Sequence, residues 1–173
     1  MSVLNVEIKA RCPDVGPVRA WLQEQGARFV GEDHQVDTYF RVAHGRLKLR
    51  EGTIERNLIF YHRADEQGPK ASRVILEPVA PGSGLKALLT AALGTLVVVD
   101  KRREIYFIDN VKFHLDRVEG LGTFAEIEAI DRDGSRGEQE LRAQCAHYLA
   151  LLGLPAEDLV PVSYSDLLLG RPG

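Results

Sequence analysis

The chain is predicted to fold as α+β, an eight-stranded antiparallel β-barrel closed on itself with helices packed outside. Three observations predict this. Each strand-like segment alternates apolar and charged residues, so it carries one apolar and one charged face. Three segments of helical periodicity carry apolar stripes that need a surface to cover, and the apolar strand faces supply it. About eight strands within 173 residues also leave long open edges unless the sheet curls and closes. Closure with the helices outside turns the charged faces into the lumen.

The first strand is "NVEIKAR" at 5–11, with Val6, Ile8 and Ala10 on one face and Glu7, Lys9 and Arg11 on the other. In "PDVGPVRAWLQEQGA", Val15, Val18, Trp21 and Leu22 form a helical stripe that Gly26 is placed to end. Strand signals follow at 28–42, 46–51, 57–64 and 71–79, joined by "AHG" at 43–45, "EGT" at 51–53 and "DEQGP" at 65–69. A second helix fits 83–93, with Leu85, Leu88, Leu89 and Ala92 on its apolar side and Gly94 after it. Strands at 96–108, 111–118 and 122–131 complete the sheet. The last helix, about 136–152, is expected to bury Leu141, Cys145, Tyr148, Leu149 and Leu152 before Gly153 and Pro155 stop it. The tail "VPVSYSDLLLG" is expected to pack back as a short turn or strand. No repeat, low-complexity segment or linker divides the chain, so one domain over 1–173 is expected.

Strand parity assembles the charged lining. Arg46, Lys48 and Arg50 share a face, and Arg63 ends the next strand. Arg73 sits with Glu77 opposite Val74 and Leu76, and Lys101 shares a face with Arg103. Lys112, His114 and Asp116 align, as do Glu126 and Glu128. On this reading about ten Lys or Arg point inward against about five Asp or Glu, in a chain of net charge −3. Crowded cations lose hydration at several kcal/mol each when unpaired, so the lining suits a polyanion such as a polyphosphate. Glu7, Glu126 and Glu128 offer only oxygen ligands, which suit Mg²⁺ or Mn²⁺; the alternative is that they pair with lumen cations.

Composition bounds the rest. A net charge of −3 and a pI near 6.0 argue against nucleic acid and anionic membranes as partners. Cys12 and Cys145 are too few for a disulfide framework, and the charged first strand leaves no signal peptide, so a cytoplasmic setting is expected. No apolar run approaches the roughly 20 residues needed to span a bilayer. His34, His44, His62, His114 and His147 show no zinc-ligand spacing, although His114 shares its face with Lys112 and Asp116. Asp37 is a candidate for orienting lumen cations, and Ser163 and Ser165 have no base partner that would make a nucleophile.

These segments resemble the CYTH superfamily, the triphosphate tunnel metalloenzymes, which includes class IV adenylyl cyclases and thiamine triphosphatases. The resemblance runs in order through "VEIKAR" at 6–11, "DTYF" at 37–40, "RLKLR" at 46–50, "YHR" ending in Arg63 and "SR" at 72–73. It continues through "KRRE" at 101–104, "HLDRVEGLGTFAEIE" at 114–128 and "YSDLL" at 164–168, the long segment being most similar to the class IV cyclase-like branch. It implies an eight-stranded tunnel binding a triphosphate with Mg²⁺ or Mn²⁺. Carried over by position, Glu7, Glu126 and Glu128 would be metal ligands. Lys9, Arg11, Lys48, Arg50, Arg63, Arg73, Lys101 and Arg103 would hold phosphates, with Asp116 and Lys101 at the reacting centre. The chain departs from the ExExK signature at Asn5, where the first Glu would stand, which implies one well-held metal and a weaker or absent second.

The expected activity is metal-dependent and acts on a triphosphate, converting ATP to cyclic AMP and pyrophosphate or else hydrolysing a triphosphate. A non-catalytic polyphosphate or nucleotide binder is the third reading. The expected partner is a small triphosphate-bearing molecule, with a homodimer as a candidate assembly.

Overall fold

The structure is a computed structural model that describes residues 1–62 and 68–170. Its strands are Ser2–Arg11 (β1), Arg28–Phe40 (β2), Arg46–Gly52 (β3), Arg56–His62 (β4), Lys70–Pro78 (β5), Thr95–Ile108 (β6), Val111–Val118 (β7) and Gly122–Asp131 (β8). The helices are Gly16–Glu24 (α1), Leu85–Leu93 (α2), Gly137–Leu151 (α3) and Tyr164–Leu168 (α4). The strands close into a barrel in the order β1-β5-β4-β3-β2-β6-β7-β8, each neighbouring pair antiparallel. The expected closed α+β barrel therefore forms.

On β1, β7 and β8 the apolar faces point outward, as parity predicts. Val6, Ile8, Phe113, Leu115 and Ile127 pack there against Val18 and Leu22 of α1 and Leu141 and Cys145 of α3. Burial of each large side chain contributes about 1.5–3 kcal/mol, and a one-residue slip would expose the whole set. This outer core is what commits Lys9, His114 and Glu126 to the inside.

On β5 the assignment of faces is reversed. Arg73 and Ile75 are exposed, while Val74 and Leu76 turn inward against Val3, Ile59, Tyr61 and Ile130. Parity separates two faces but does not say which is covered. The stripes of α1 and α3 are spent on β1, β7 and β8, and beyond Ala71 they do not reach β5. Helix α2 also departs from expectation: none of its residues is buried, and Leu88 is 61% exposed.

The tail forms α4 rather than a strand. Ser163 accepts a bond from the Asp166 amide and Asp166 takes the Ser163 amide, a capping box written in "SYSD". Ahead of it, Val160, Val162 and Tyr164 pack on Tyr39, Val99, Val118 and Phe124. Those four have the same parity as the lumen residues of their strands, so the tail stops one end of the barrel.

Candidate functional site

The lumen is a cavity of about 310 Å³, and the register places its charges in cross-strand pairs. Arg50 stands directly opposite Asp37 on β2–β3 and clamps it with two bonds, Nε–Oδ1 at 2.9 Å and Nη2–Oδ2 at 2.8 Å. Lys101 Nζ reaches the same carboxylate at 2.9 Å and Lys48 Nζ at 3.3 Å. Asp37 is 0% exposed, so this one anion is the shared counter-ion of three cations and leaves the group net positive. Burial works to raise its carboxyl, but Arg50, Lys101 and Lys48 hold it well below the usual carboxylate range. Lys101 is pulled to about 7, by burial first and by Arg50, Arg103 and Lys48 against the opposing pull of Asp37.

A second cluster lies across β6–β7–β8–β1. Arg103 clamps Asp116, its opposite number, with two bonds of 2.7 Å, and the Tyr164 hydroxyl donates to Asp116 Oδ2 at 2.7 Å. With both oxygens engaged, Asp116 positions Arg103. Glu126 faces His114 on one side and Lys9 on the other: Nδ1 lies 3.0 Å from Oε1, and Lys9 Nζ 3.2 Å from Oε2. Burial opposes the charge on Glu126, but Lys9, then Arg103 and His114, keep its carboxyl well below the usual range. The His114 ring is pushed down by burial and by Arg103. Lys9 also sits 4.2 Å over the Tyr164 ring.

The carboxylates proposed for a metal lie on one wall. Ligand atoms of His114, Glu126 and Glu128 come within 4.8 Å of one another. Glu7 lines the same lumen opposite Glu128 on β1–β8 but falls outside that group. Asn5 donates from Nδ2 to Glu128 Oε1 at 2.8 Å. Its own Oδ1 and His114 Nε2 are buried without a hydrogen-bond partner. A carboxylate wall beside two buried, unsatisfied acceptor atoms fits a divalent cation.

The other expected residues are scattered. Arg11 has lumen parity but is exposed as the last residue of β1, stacked 5.3 Å from the ring of its partner Phe124. Arg73 is on the outer surface because its strand turns its apolar face inward, so the phosphate role implied for it has no geometric basis. Arg63 lies outside the described residues. Among the described residues the tunnel lining holds seven Lys or Arg against four Glu, and Asp37 and Asp116 sit buried among them. Seven against six replaces the expected ten against five: Arg73 turns outward, Arg11 is exposed, Arg46 pairs with Asp166 and Arg63 is outside the described residues, while Arg132 joins the lining.

Sequence reasoning missed the apolar wall of the lumen, made of Val3, Ile59, Tyr61, Val74, Leu76 and Ile130. It also missed Glu55, which accepts from Lys112 at 2.8 Å. Glu55 is held in place by Asp33, whose oxygens take the amides of Ile54 and Glu55 and the Thr53 hydroxyl. A Cβ on Gly52 would come within 2.4 Å of the Glu55 carbonyl and 2.8 Å of Asp33, so the turn requires glycine there. Tyr164 carried no sequence signal beyond its place in "YSDLL".

Fold and site define a closed β-tunnel whose interior is charged on one wall and apolar on the other. The chain belongs to the CYTH domain family, whose model matches residues 4–164. It is 28% identical to adenylate cyclase CyaB of Aeromonas hydrophila, over 94% of this chain and 87% of that one. A Methanocaldococcus jannaschii protein with a provisional adenylate cyclase name is 25% identical over 95% of this chain and 98% of its own. Among solved structures, a Pyrococcus horikoshii protein superposes with a TM-score of 0.79 at 27% identity, covering 94% of this chain and 98% of that one. No helix among the described residues is long and apolar enough to cross a membrane.

Proposed function

We propose that this protein is a divalent-metal-dependent enzyme acting on a nucleoside triphosphate, with conversion of ATP to cyclic AMP and pyrophosphate as its reaction. Membership of a family that acts on triphosphates supports the first half of this reading. The observation that carries the second half is the two-walled lumen. Lys48, Arg50, Lys101 and Arg103 suit a phosphate chain, while Ile59, Tyr61, Val74 and Leu76 suit a base and sugar. Inorganic tripolyphosphate would leave the apolar wall facing water.

In this reading the ATP 3′-oxygen bonds to the α-phosphorus and the bond from that phosphorus to the α–β bridging oxygen breaks. The bridging electrons leave with pyrophosphate, and the hydroxyl proton ends on pyrophosphate or in solvent. Arg50 and Arg103, fixed by Asp37 and Asp116, are preorganised donors to the leaving phosphates and need no rearrangement as charge builds. Lys101, pulled to about 7 in the free protein, takes up a proton when phosphate arrives beside it. A divalent metal held by Glu128 with Glu126 and Glu7 would supply further neutralisation of phosphate charge.

The test is to offer the protein ATP, thiamine triphosphate and inorganic tripolyphosphate with Mg²⁺ or Mn²⁺ and to resolve the products. Cyclic AMP with pyrophosphate is expected from ATP. Orthophosphate from ATP would move the assignment to a hydrolase using the same tunnel. Faster turnover of tripolyphosphate than of either organic substrate would overturn the role given to the apolar wall.

A further inference from the structure

His114 is the histidine that sequence spacing gave no role, and it lies in the middle of the carboxylate wall at 1% exposure. Its Nδ1 is 3.0 Å from Glu126 Oε1. An ionised carboxylate only accepts, so the ring proton sits on Nδ1 and Nε2 presents a lone pair. That lone pair has no hydrogen-bond partner and faces Glu128 Oε2 at 3.9 Å. Two acceptors facing each other in a buried site repel unless a cation lies between them.

The neighbouring side-chain cations are committed elsewhere. Lys9 is on Glu126 Oε2 at 3.2 Å, Lys112 on Glu55 at 2.8 Å and Arg103 on Asp116 at 2.7 Å. Glu126 is equally engaged, with His114, Lys9 and Arg103 all on its two oxygens. Glu128 is not: Asn5 takes Oε1, and Oε2 is turned to the imidazole. Two metal–ligand bonds of about 2.1 Å each span up to about 4.2 Å, so one ion can bridge the 3.9 Å gap.

We infer that His114 Nε2 and Glu128 Oε2 are direct ligands of the divalent metal, that Glu126 acts from behind the ring by accepting the Nδ1 proton, and that the site prefers a first-row transition ion such as Mn²⁺ to Mg²⁺. The inference rests on the metal dependence proposed above and redistributes its ligands. A histidine that binds metal usually donates its other N–H to a carboxylate, which is the Glu126–His114 arrangement. Asn5 gains a purpose in place of the missing glutamate: its amide nitrogen fixes the rotamer of Glu128 and leaves Oε2 for the ion. A nitrogen ligand adds affinity for transition ions and little for Mg²⁺, which favours oxygen and water.

The test is pulsed electron paramagnetic resonance of Mn²⁺ bound to the full chain, reading ¹⁴N modulation, repeated with ¹⁵N-histidine. The expected result is coupling to one imidazole nitrogen in the parent protein that changes with the label. In His114→Gln the coupling should vanish and Mn²⁺ affinity fall by at least about tenfold, with Mg²⁺ affinity changed by less than about threefold. Glu126→Gln should keep the coupling. The parent spectrum stands without any variant, so poor folding of His114→Gln does not remove the test. Bound Mn²⁺ with no histidine coupling would overturn the inference and leave the metal-dependent triphosphate reading in place. Failure of Mn²⁺ to bind even with tripolyphosphate would overturn both.

Discussion

Asp37→Asn removes the one anion on which Arg50, Lys101 and Lys48 converge at 2.8, 2.9 and 3.3 Å. Because Asp37 is fully buried, water cannot replace it, and breaking a buried pair from one side costs about 3–5 kcal/mol. For a chain of this size each kcal/mol lowers the melting temperature by about 2–4 °C, so a fall of about 6–20 °C is expected. The loss also has a pH signature. In the parent Lys101 titrates at about 7; without Asp37 burial and the adjacent cations push it lower still, and it folds neutral. An unfolded lysine, near 10.4, binds the proton throughout this range. Between about pH 5 and pH 7 the unfolded variant therefore binds more protons than the folded one, while the parent binds about equally in both states. Lys101 therefore adds up to about 1.4 kcal/mol per pH unit to the variant's stability there and nothing to the parent's, while the lowered His114 ring contributes to both alike and drops out of the difference. Above about pH 7 both rise together. Urea unfolding of parent and variant at about pH 5.5, 6.5, 7.5 and 8.5 measures this. The deficit should shrink up to neutral pH and then level off. A deficit below about 1 kcal/mol, or one that grows with pH, would refute Asp37 as the shared counter-ion.

Two further outcomes follow from the same geometry. At about pH 8 tripolyphosphate should bind with up to about one more proton taken up by the parent than by Lys101→Met, read as the difference in the dependence of calorimetric enthalpy on buffer ionisation enthalpy; the same dependence in both would show that Lys101 is already charged. Arg73→Ala should leave tripolyphosphate affinity within about twofold, whereas Lys48→Ala should weaken it by about tenfold or more. Comparable losses would return Arg73 to the tunnel.

The closed barrel was legible because alternation on β1, β7 and β8 is strict and the stripes of α1 and α3 name what covers it. Parity put Lys9, Glu126, Arg103, Asp116 and Arg50 on lumen faces, but their pairing, Lys9 with Glu126, Arg103 with Asp116 and Arg50 with Asp37, is set by strand register, which alternation does not supply. What parity leaves open is which face goes inside on a strand with no helix over it. That is why Arg73 was placed in the lumen and the wall of Val74, Leu76 and Ile59 was not foreseen. Glu55 sits in a turn, where period-two reasoning does not apply, and its aim is set by Asp33 some twenty positions earlier. His114 was visible on its face, but its tautomer depends on Glu126, a partner on a different strand.

The seam between β1 and β8 joins residues 2–11 to residues 122–131, the longest reach in the barrel. Pairings so distant in sequence close late and slowly, since loop entropy must be overcome before they contribute. Glu7 meets Glu128, and Lys9 meets Glu126, across that same seam. The partners that fix the carboxylates, Asn5 on Glu128 and Lys9 on Glu126, thus arrive with the final closure of the barrel, whereas His114, Glu126 and Glu128 already stand on the neighbouring strands of the β7–β8 hairpin. Cation binding on the hairpin would then tighten as Asn5 closes on Glu128, and a folding experiment followed through Mn²⁺ affinity would separate the hairpin from the completed barrel.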